Sequence, residues 1–312
     1  ADFAVVGEGE VTFVRLVQAL LGEGDPLRVP GTASVDGRGR PRLNAAAGFL
    51  DDLDALAHPA WDAIPIDTYA SLFNFNDMPT LYRPYVPIMT SRGCPYRCSF
   101  CHNVFGRRFR ARSPANVLEE METLHDRFGV REFHVVDDIF NLDGERMEAI
   151  CRAIRRRGLK IALAFPNGLR GDILTRGQLR LLGQAGCYAI TMALESASKR
   201  ILRLMRKAID LDKLAAAARE ASALGIITSC FMMCGYPGER REDLETTLRW
   251  VKESAFDFPR YCVASPFPGT GMAEHARAVG FEPGAMDARR SQYDIDNRGL
   301  ADMPYEEFRG LV

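Results

Sequence analysis

The stretch MTSRGCPYRCSFCHNV, residues 89–104, places Cys94, Cys98 and Cys101 inside eight positions. Thiols spaced this closely point to metal, because a thiolate is a soft and strongly binding ligand. Two chemistries fit the spacing. Iron–sulfur clusters are held by cysteine thiolates, ordinarily four. Three on one short loop can each take a separate iron of a [4Fe–4S] cube, and one iron then keeps an open coordination position. Zinc is the alternative, since Cys98-x-x-Cys101 is half a zinc site and His102 or a more distant His could add a ligand. Structural zinc sites usually pair two such knuckles, and no second C-x-x-C occurs in the chain.

Working outward, apolar or β-branched runs stand at 86–91, 132–138, 160–165, 188–195, 226–234 and 260–266. Helix-like stretches fall between and after them, at about 114–128, 143–157, 175–186, 198–206, 211–224 and 239–254. Ser113-Pro114 supplies an N-cap followed by Pro at the first helical position. Gly129, Gly158, Gly186 and Gly225 sit where helices should end. Six strand–helix units predict a parallel sheet with helices outside. Six are too few for a complete eightfold barrel. The expected fold is therefore α/β, a partial (β/α)6 TIM-like barrel over residues 84–285.

Chemistry in such folds gathers at the carboxyl ends of the strands, and a candidate motif stands at each. The cysteines follow the first strand, Asp137-Asp138 end the second, and Asn167 to Arg170 follow the third. Glu195-Ser196 end the fourth, Gly235-Tyr-Pro-Gly-Glu239 follows the fifth, and Pro266 to Thr270 follow the sixth.

Composition excludes several classes. A formal net charge of −1 implies no global pull toward nucleic acid or an anionic membrane. The basic runs GRRFRAR (106–112) and RAIRRR (152–157) read as solvated faces. No apolar run approaches the roughly 18–20 residues of a membrane span, and no signal-peptide pattern opens the chain. Eight cysteines in a chain of 312 residues read as reduced thiols of a cytoplasmic protein, because so large a core needs no disulfide staples. Cys151, Cys187, Cys230, Cys234 and Cys262 are scattered over helix and strand patterns and read as core thiols.

C-x-x-x-C-x-F-C, as Cys94, Cys98, Phe100 and Cys101 after the first strand of a partial barrel, resembles the radical S-adenosylmethionine (SAM) superfamily. The resemblance implies a SAM molecule whose amino and carboxylate groups chelate the fourth iron. Reductive cleavage would give methionine and a 5′-deoxyadenosyl radical, with an external donor such as flavodoxin or ferredoxin supplying the electron. It further implies that Phe100 packs near the adenine. Asp137 and Asp138, in VVDDIF, occupy the place of a GGE-like segment that reaches the methionine amino group; the Glu of that segment is not matched. Asn167 and Arg170 in PNGLRGD resemble cofactor or substrate contacts. Glu195 in ALESAS resembles a G-x-E-S segment that meets the cofactor's polar groups. Gly235 and Pro237 in GYPGE, and the PFPGT turn at 266–270, resemble turns of one branch of the superfamily, where glycine permits close backbone approach.

That branch includes many enzymes with a cobalamin-binding domain ahead of the barrel. ADFAVVGEGE followed by VTFVRLVQALL is similar to the last strand–loop–helix of such a flavodoxin-like domain. The chain then divides into a remnant of that domain (1–27), a linker with little regular structure (28–83, containing LDDLDALAHPAWD), the barrel (84–285) and the start of a C-terminal region (286–312). The expected function is a cobalamin-dependent methyltransferase acting on a small-molecule, lipid or peptide substrate. Cobalamin-independent radical chemistry (cyclisation, rearrangement or RNA methylthiolation) and a non-enzymatic zinc or cluster protein remain open.

Overall fold

The computed structural model describes residues 2–72, 78–102, 104–281 and 299–311. The chain opens with β1 (Phe3–Val5), a turn at Gly7 and α1 (Gly9–Gln18). β2 (Thr32–Val35) and β3 (Pro41–Leu43) follow, and the three strands form an antiparallel sheet in the order β1-β2-β3. The expected strand–turn–helix is present, but the segment after it is more than a linker. Asp36 closes a hairpin by accepting from the amides of Arg38 and Arg40 at 2.8 and 2.9 Å. An aspartate bonding its own following backbone is a turn-forming device; strands this short are below the length at which alternation shows. Val29 packs with Leu16, Ala19, Phe3 and Val5 in one small core. The boundary expected at 27/28 therefore runs through a packed unit. Among the described residues irregular backbone follows, broken by a 3₁₀ turn (Trp61–Ala63) and by α2 (Ile66–Ser71). The boundary expected at 285/286 lies outside the described residues.

The barrel begins at β4 (Tyr85–Ile88). A two-rung ladder of β5 (Ser91–Arg92) and β6 (Arg110–Ala111) closes the neck of the cysteine loop. Then come α3 (Pro114–Phe128), β7 (Glu132–Val135), α4 (Gly144–Arg156), β8 (Ala162–Leu169), α5 (Arg176–Gln184) and β9 (Cys187–Glu195). The remainder is α6 (Lys199–Leu204), α7 (Leu211–Ala223), β10 (Ile227–Cys234), α8 (Arg241–Glu253), β11 (Phe258–Val263), α9 (Gly271–Ala278) and α10 (Tyr305–Leu311). β4, β7, β8, β9, β10 and β11 lie side by side in chain order and every pair is parallel. This is the expected six-stranded partial barrel.

Pleating explains its layers. One face of the strands carries Phe133, Val135, Leu163, Phe165, Ile190, Met192 and Cys230 into a core shared with Leu118, Met121, Ile150, Ile154, Leu179 and Leu214 of the helices. The opposite face is small and polar: Thr191 and Ser229 share a 2.8 Å hydrogen bond, and Arg260 reaches Thr191 at 2.6 Å. At the amino-terminal end, buried Glu132 accepts from the amides of Leu81 and Tyr82, from the Tyr188 hydroxyl, each at 2.7 Å, and pairs with His134 at 2.8 Å. That floor ties the segment before β4 to the barrel. Among the described residues no helix is long and apolar enough to cross a membrane.

The turn after β10 is closed from within. Glu239 is fully buried; one carboxylate oxygen accepts from Gly235 N at 2.6 Å, and the other has no hydrogen-bond partner among the described residues. Its backbone oxygen accepts from Asp302 N at 2.7 Å, and Gly238 N donates to Leu300 O at 3.1 Å, so the segment before α10 rests on this turn.

Two predictions follow from packing. Gly186 has φ +97°, and a Cβ there would stand 2.1 Å from Ile161 O. Gly186→Ala should cost about 2–4 kcal/mol in urea unfolding. Burial pushes the Glu239 carboxyl up from 4.5 to about 7. A folded-state pKa above the unfolded one means the folded chain binds the extra proton between those values, so stability is full below about pH 4.5 and falls as pH rises to about 7. The loss should total about 3 kcal/mol, and Glu239→Gln should flatten that part of the stability–pH curve.

Candidate functional site

The cysteine loop opens at β5 and closes at β6, with Ser91 opposite Ala111 and Arg92 opposite Arg110. At its neck the two backbones touch. Gly93 has φ +83°, and a Cβ there would lie 2.3 Å from Arg108 O; Cys94 N donates to Gly106 O at 3.2 Å. Asp138, at the end of β7, accepts from Gly93 N at 2.8 Å. The tip of the loop is held by Ser99. Its N–H donates to Met205 O at 2.8 Å, its carbonyl accepts from Met272 N at 2.7 Å, and its hydroxyl lies 2.7 Å from the buried Tyr236 hydroxyl. Tyr236 in turn reaches His275 Nδ1 at 2.8 Å.

All three thiols of the loop are free of disulfides; Cys94 and Cys98 are half-buried and Cys101 is exposed. Desolvation by the surrounding protein atoms pushes each thiol up, and for Cys101, although the residue as a whole is exposed, the neighbouring thiols add to this, taking it to about 11. The three groups thus feel one another's charge. Yet among the described residues no three His, Cys, Asp or Glu side chains converge as a single ion requires. His102 is exposed and turns its ring edge-on to Phe267, 5.1 Å away.

Arg170 and Glu195 are brought to this loop. Arg170 is gripped by Asp172 through two hydrogen bonds of 2.8 and 2.6 Å, and its guanidinium lies 4.2 Å from the Tyr96 ring. That contact joins the end of β8 to the cysteine loop by cation–π attraction. Glu195 ends β9 at φ +65°, where the register against β10 shifts. A side chain other than glycine in that region stores strain and persists only where its surroundings over-determine it. Here the determinant is Lys207, whose Nζ lies 2.9 Å from Glu195 Oε1, with both side chains less than a tenth exposed. Lys207 also stands 5.8 Å from the Phe100 ring and, after burial, is the largest influence on the Cys98 thiol, lowering its pKa.

Other candidate residues are placed differently. Asp137 is buried and spends its carboxylate on Thr90 N (2.5 Å), Thr90 Oγ1 (2.6 Å) and Ser91 Oγ (2.6 Å). It braces the strand that leads into the loop, with its carboxylate committed inside the protein. Asp138 is exposed and, among the described residues, its carboxylate accepts from Gly93 N through one oxygen. Asn167 is exposed at the end of β8, with its Nδ2 donating to Val136 O at 2.8 Å. Gly235 and Pro237 are buried in the turn that Glu239 closes. Two residues of the site escaped sequence reasoning. Lys207 follows the short helix α6 with no motif around it, and Ser99 is a small residue between two cysteines; only their partners reveal them.

Residues 88–251 match the model of the radical SAM superfamily. An uncharacterized methyltransferase of Pyrococcus horikoshii is 32% identical over 279 residues, covering 89% of this chain and 58% of the relative. Cytidylyl-2-hydroxyethylphosphonate methyltransferase of Streptomyces wedmorensis is 27% identical and covers 97% of this chain and 61% of its own length. The chain thus spans about three-fifths of the length of these relatives. In structure it resembles the radical SAM methyltransferase TsrM of Kitasatospora setae with cobalamin and a [4Fe–4S] cluster bound, with TM-score 0.71 and 22% identity over 91% of this chain and 55% of that one. The matched span runs from the last residue of β4 into α8 and contains the three thiols, Arg170, Glu195 and Lys207: the chain belongs to the radical SAM superfamily.

Proposed function

We propose that this chain is the radical-generating part of a cobalamin-dependent methyltransferase, with Cys94, Cys98 and Cys101 each holding one iron of a [4Fe–4S] cluster. The observation that carries the reading is the meeting, at the carboxyl ends of parallel strands, of three free thiols on one loop with a buried Glu195–Lys207 pair and a stacked Arg170. When bound, the cluster supplies the electron that cleaves SAM, and a corrinoid supplies a methyl group. The chain's own residues do the rest. Lys207 offers an ammonium and Glu195 a carboxylate to the polar ends of SAM, Phe100 supplies an apolar surface for its adenine, and Asp138 and Asn167 stand at the same rim. Arg170 holds Tyr96, and so the loop, in register with β8. Ser99 and Tyr236 fix the loop's tip against α9.

The corrinoid part of the reading rests on the N-terminal unit. α1 and the helical turn after it leave Phe13 59%, Val14 55% and Leu21 78% exposed, apolar surface that a further layer of an α/β domain would cover. Methyltransferase names among the relatives support the reaction class. The substrate is a small molecule, lipid or peptide, and the electron comes from a low-potential redox protein in a reducing compartment such as the cytoplasm.

Anaerobic reconstitution tests the proposal. The chain should take up about four irons and, once reduced, convert SAM to methionine and 5′-deoxyadenosine. Cys94→Ala, Cys98→Ala and Cys101→Ala should each abolish cleavage, because each thiolate serves a different iron. One tightly held zinc with no iron, or full turnover by the Cys98→Ala protein, would sink the assignment. Lys207→Met should keep the iron content yet raise the KM for SAM by about tenfold or more, as expected for loss of a charge-assisted hydrogen bond; an unchanged KM would remove Lys207 from the cofactor site.

A further inference from the structure

The neck of the cysteine loop has only two rungs of backbone ladder, Ser91 with Ala111 and Arg92 with Arg110. So short a ladder is a weak closure for a loop that must hold three thiols in one geometry. A carboxylate from the far end of the chain is built into it. Glu8 Oε2 accepts from Arg110 Nη1 at 3.0 Å and from Leu50 N at 2.8 Å. Glu8 Oε1 lies 2.8 Å from Arg110 Nη2 and 3.3 Å from Arg92 Nη1. Arg92 also pairs with Glu10. One acid therefore bridges both stems of the loop.

The grip extends into the loop itself. Arg110 donates to Leu50 O at 2.5 Å and to Phe105 O at 2.8 Å, and its guanidinium lies 4.9 Å from the Phe49 ring. Gly106 packs so closely on Phe49 that an added Cβ would meet the ring at 2.6 Å. Gly106 O is also the acceptor for Cys94 N, and Arg92 is two residues before Cys94. Contacts therefore run unbroken from Glu8 to the first cysteine by two routes, one along each stem. The side chains of Glu8 and Arg110 are 5% and 2% exposed, so salt screens their attraction little, and removing one partner strands a buried charge.

We infer that Glu8, Arg92 and Arg110 are positioning residues that lock the cysteine loop to the N-terminal unit, so that the geometry of the three thiols follows the placement of that unit. The lock gives the region carrying the β1–α1 turn direct purchase on the metal-binding loop without touching metal or substrate. Its consequence for chemistry rests on the function proposed above; the mechanical link does not.

The test uses the whole chain with Glu8→Gln, which keeps the shape and removes the charge, and Glu10→Gln, which breaks only the outer pair. Amide hydrogen exchange over residues 93–109 should quicken by about tenfold in Glu8→Gln, and less in Glu10→Gln, while β7–β10 stay protected. The electron paramagnetic resonance spectrum of the reduced, SAM-bound cluster should shift in Glu8→Gln and return toward wild type in Glu8→Asp. A folded Glu8→Gln protein with unchanged exchange in the loop overturns the lock, and quicker exchange with an unchanged spectrum overturns its reach to the thiols. If Glu8→Gln does not fold, Glu10→Gln decides alone: quicker exchange around Cys94 supports the lock, and no change overturns it. A wild-type chain that takes up no iron refutes the proposed function, and loop exchange then still judges the lock.

Discussion

Asp137 sits with no access to solvent at the end of β7 and directs its carboxylate sideways, into the strand beside it. Thr90 gives it two hydrogen bonds and Ser91 a third. From the opposite side Arg146 of α4 donates to Thr90 O at 2.8 Å and to Arg112 O at 2.7 Å. Arg112 N completes the ring by donating to Thr90 O at 3.0 Å. Residues 90 and 112 flank the β5–β6 ladder, where the chain comes from β4 and goes on to α3, so the cysteine loop hangs between them. Burial pushes the Asp137 carboxyl up, and its three donors work against that. Withdrawing them would leave a buried acid unsatisfied, a cost of several kcal/mol. The loop's footing is for that reason rigid, and the carboxylate that provides it is not free for a ligand.

Above this footing the rim is assembled from opposite charges on separate strands. Arg170 comes from β8, Glu195 from β9 and Lys207 from the chain just after α6, and each is oriented by a protein partner before any ligand arrives. Such preorganisation keeps polar groups from spending binding energy on reordering. The positive φ at Glu195 fits the same picture, since a strained backbone survives where packing and an ion pair hold it. The β10 turn contributes differently: Tyr236 projects its hydroxyl into the loop tip, while Glu239 holds the turn shut beneath it.

Much of the barrel was legible because its signals are local. Apolar runs at strand length, Ser113-Pro114 at a helix start and glycines at helix ends need no long-range information, and α3 begins and ends where its caps said. The cysteines were legible for the same reason, since ligand spacing on one loop is a property of neighbouring residues. The hairpin at 32–43 was missed because three- and four-residue strands carry too little alternation, and their pairing with β1 is a tertiary contact. Asp137 and Asp138 show the limit most plainly. They are adjacent and chemically identical, yet one is buried as a brace and the other is exposed on the rim, because the chain beyond β7 turns one carboxylate onto Thr90 and Ser91 and the other onto Gly93 N.

What the amino-acid sequence determined by itself was the class of fold, the order of its strands and helices, and three thiols on a loop after the first barrel strand. Those follow from periodicity and from spacing, which the chain carries without folding. Only the tertiary structure decided which polar residues face the thiols and which hold the scaffold. It matched Lys207 to Glu195, Arg170 to Tyr96 and Glu8 to both stems of the loop, pairs separated by between 12 and 102 residues in sequence. The partner of a buried charge is set by which strand ends and loops the folded sheet brings together, and no local pattern encodes that distance.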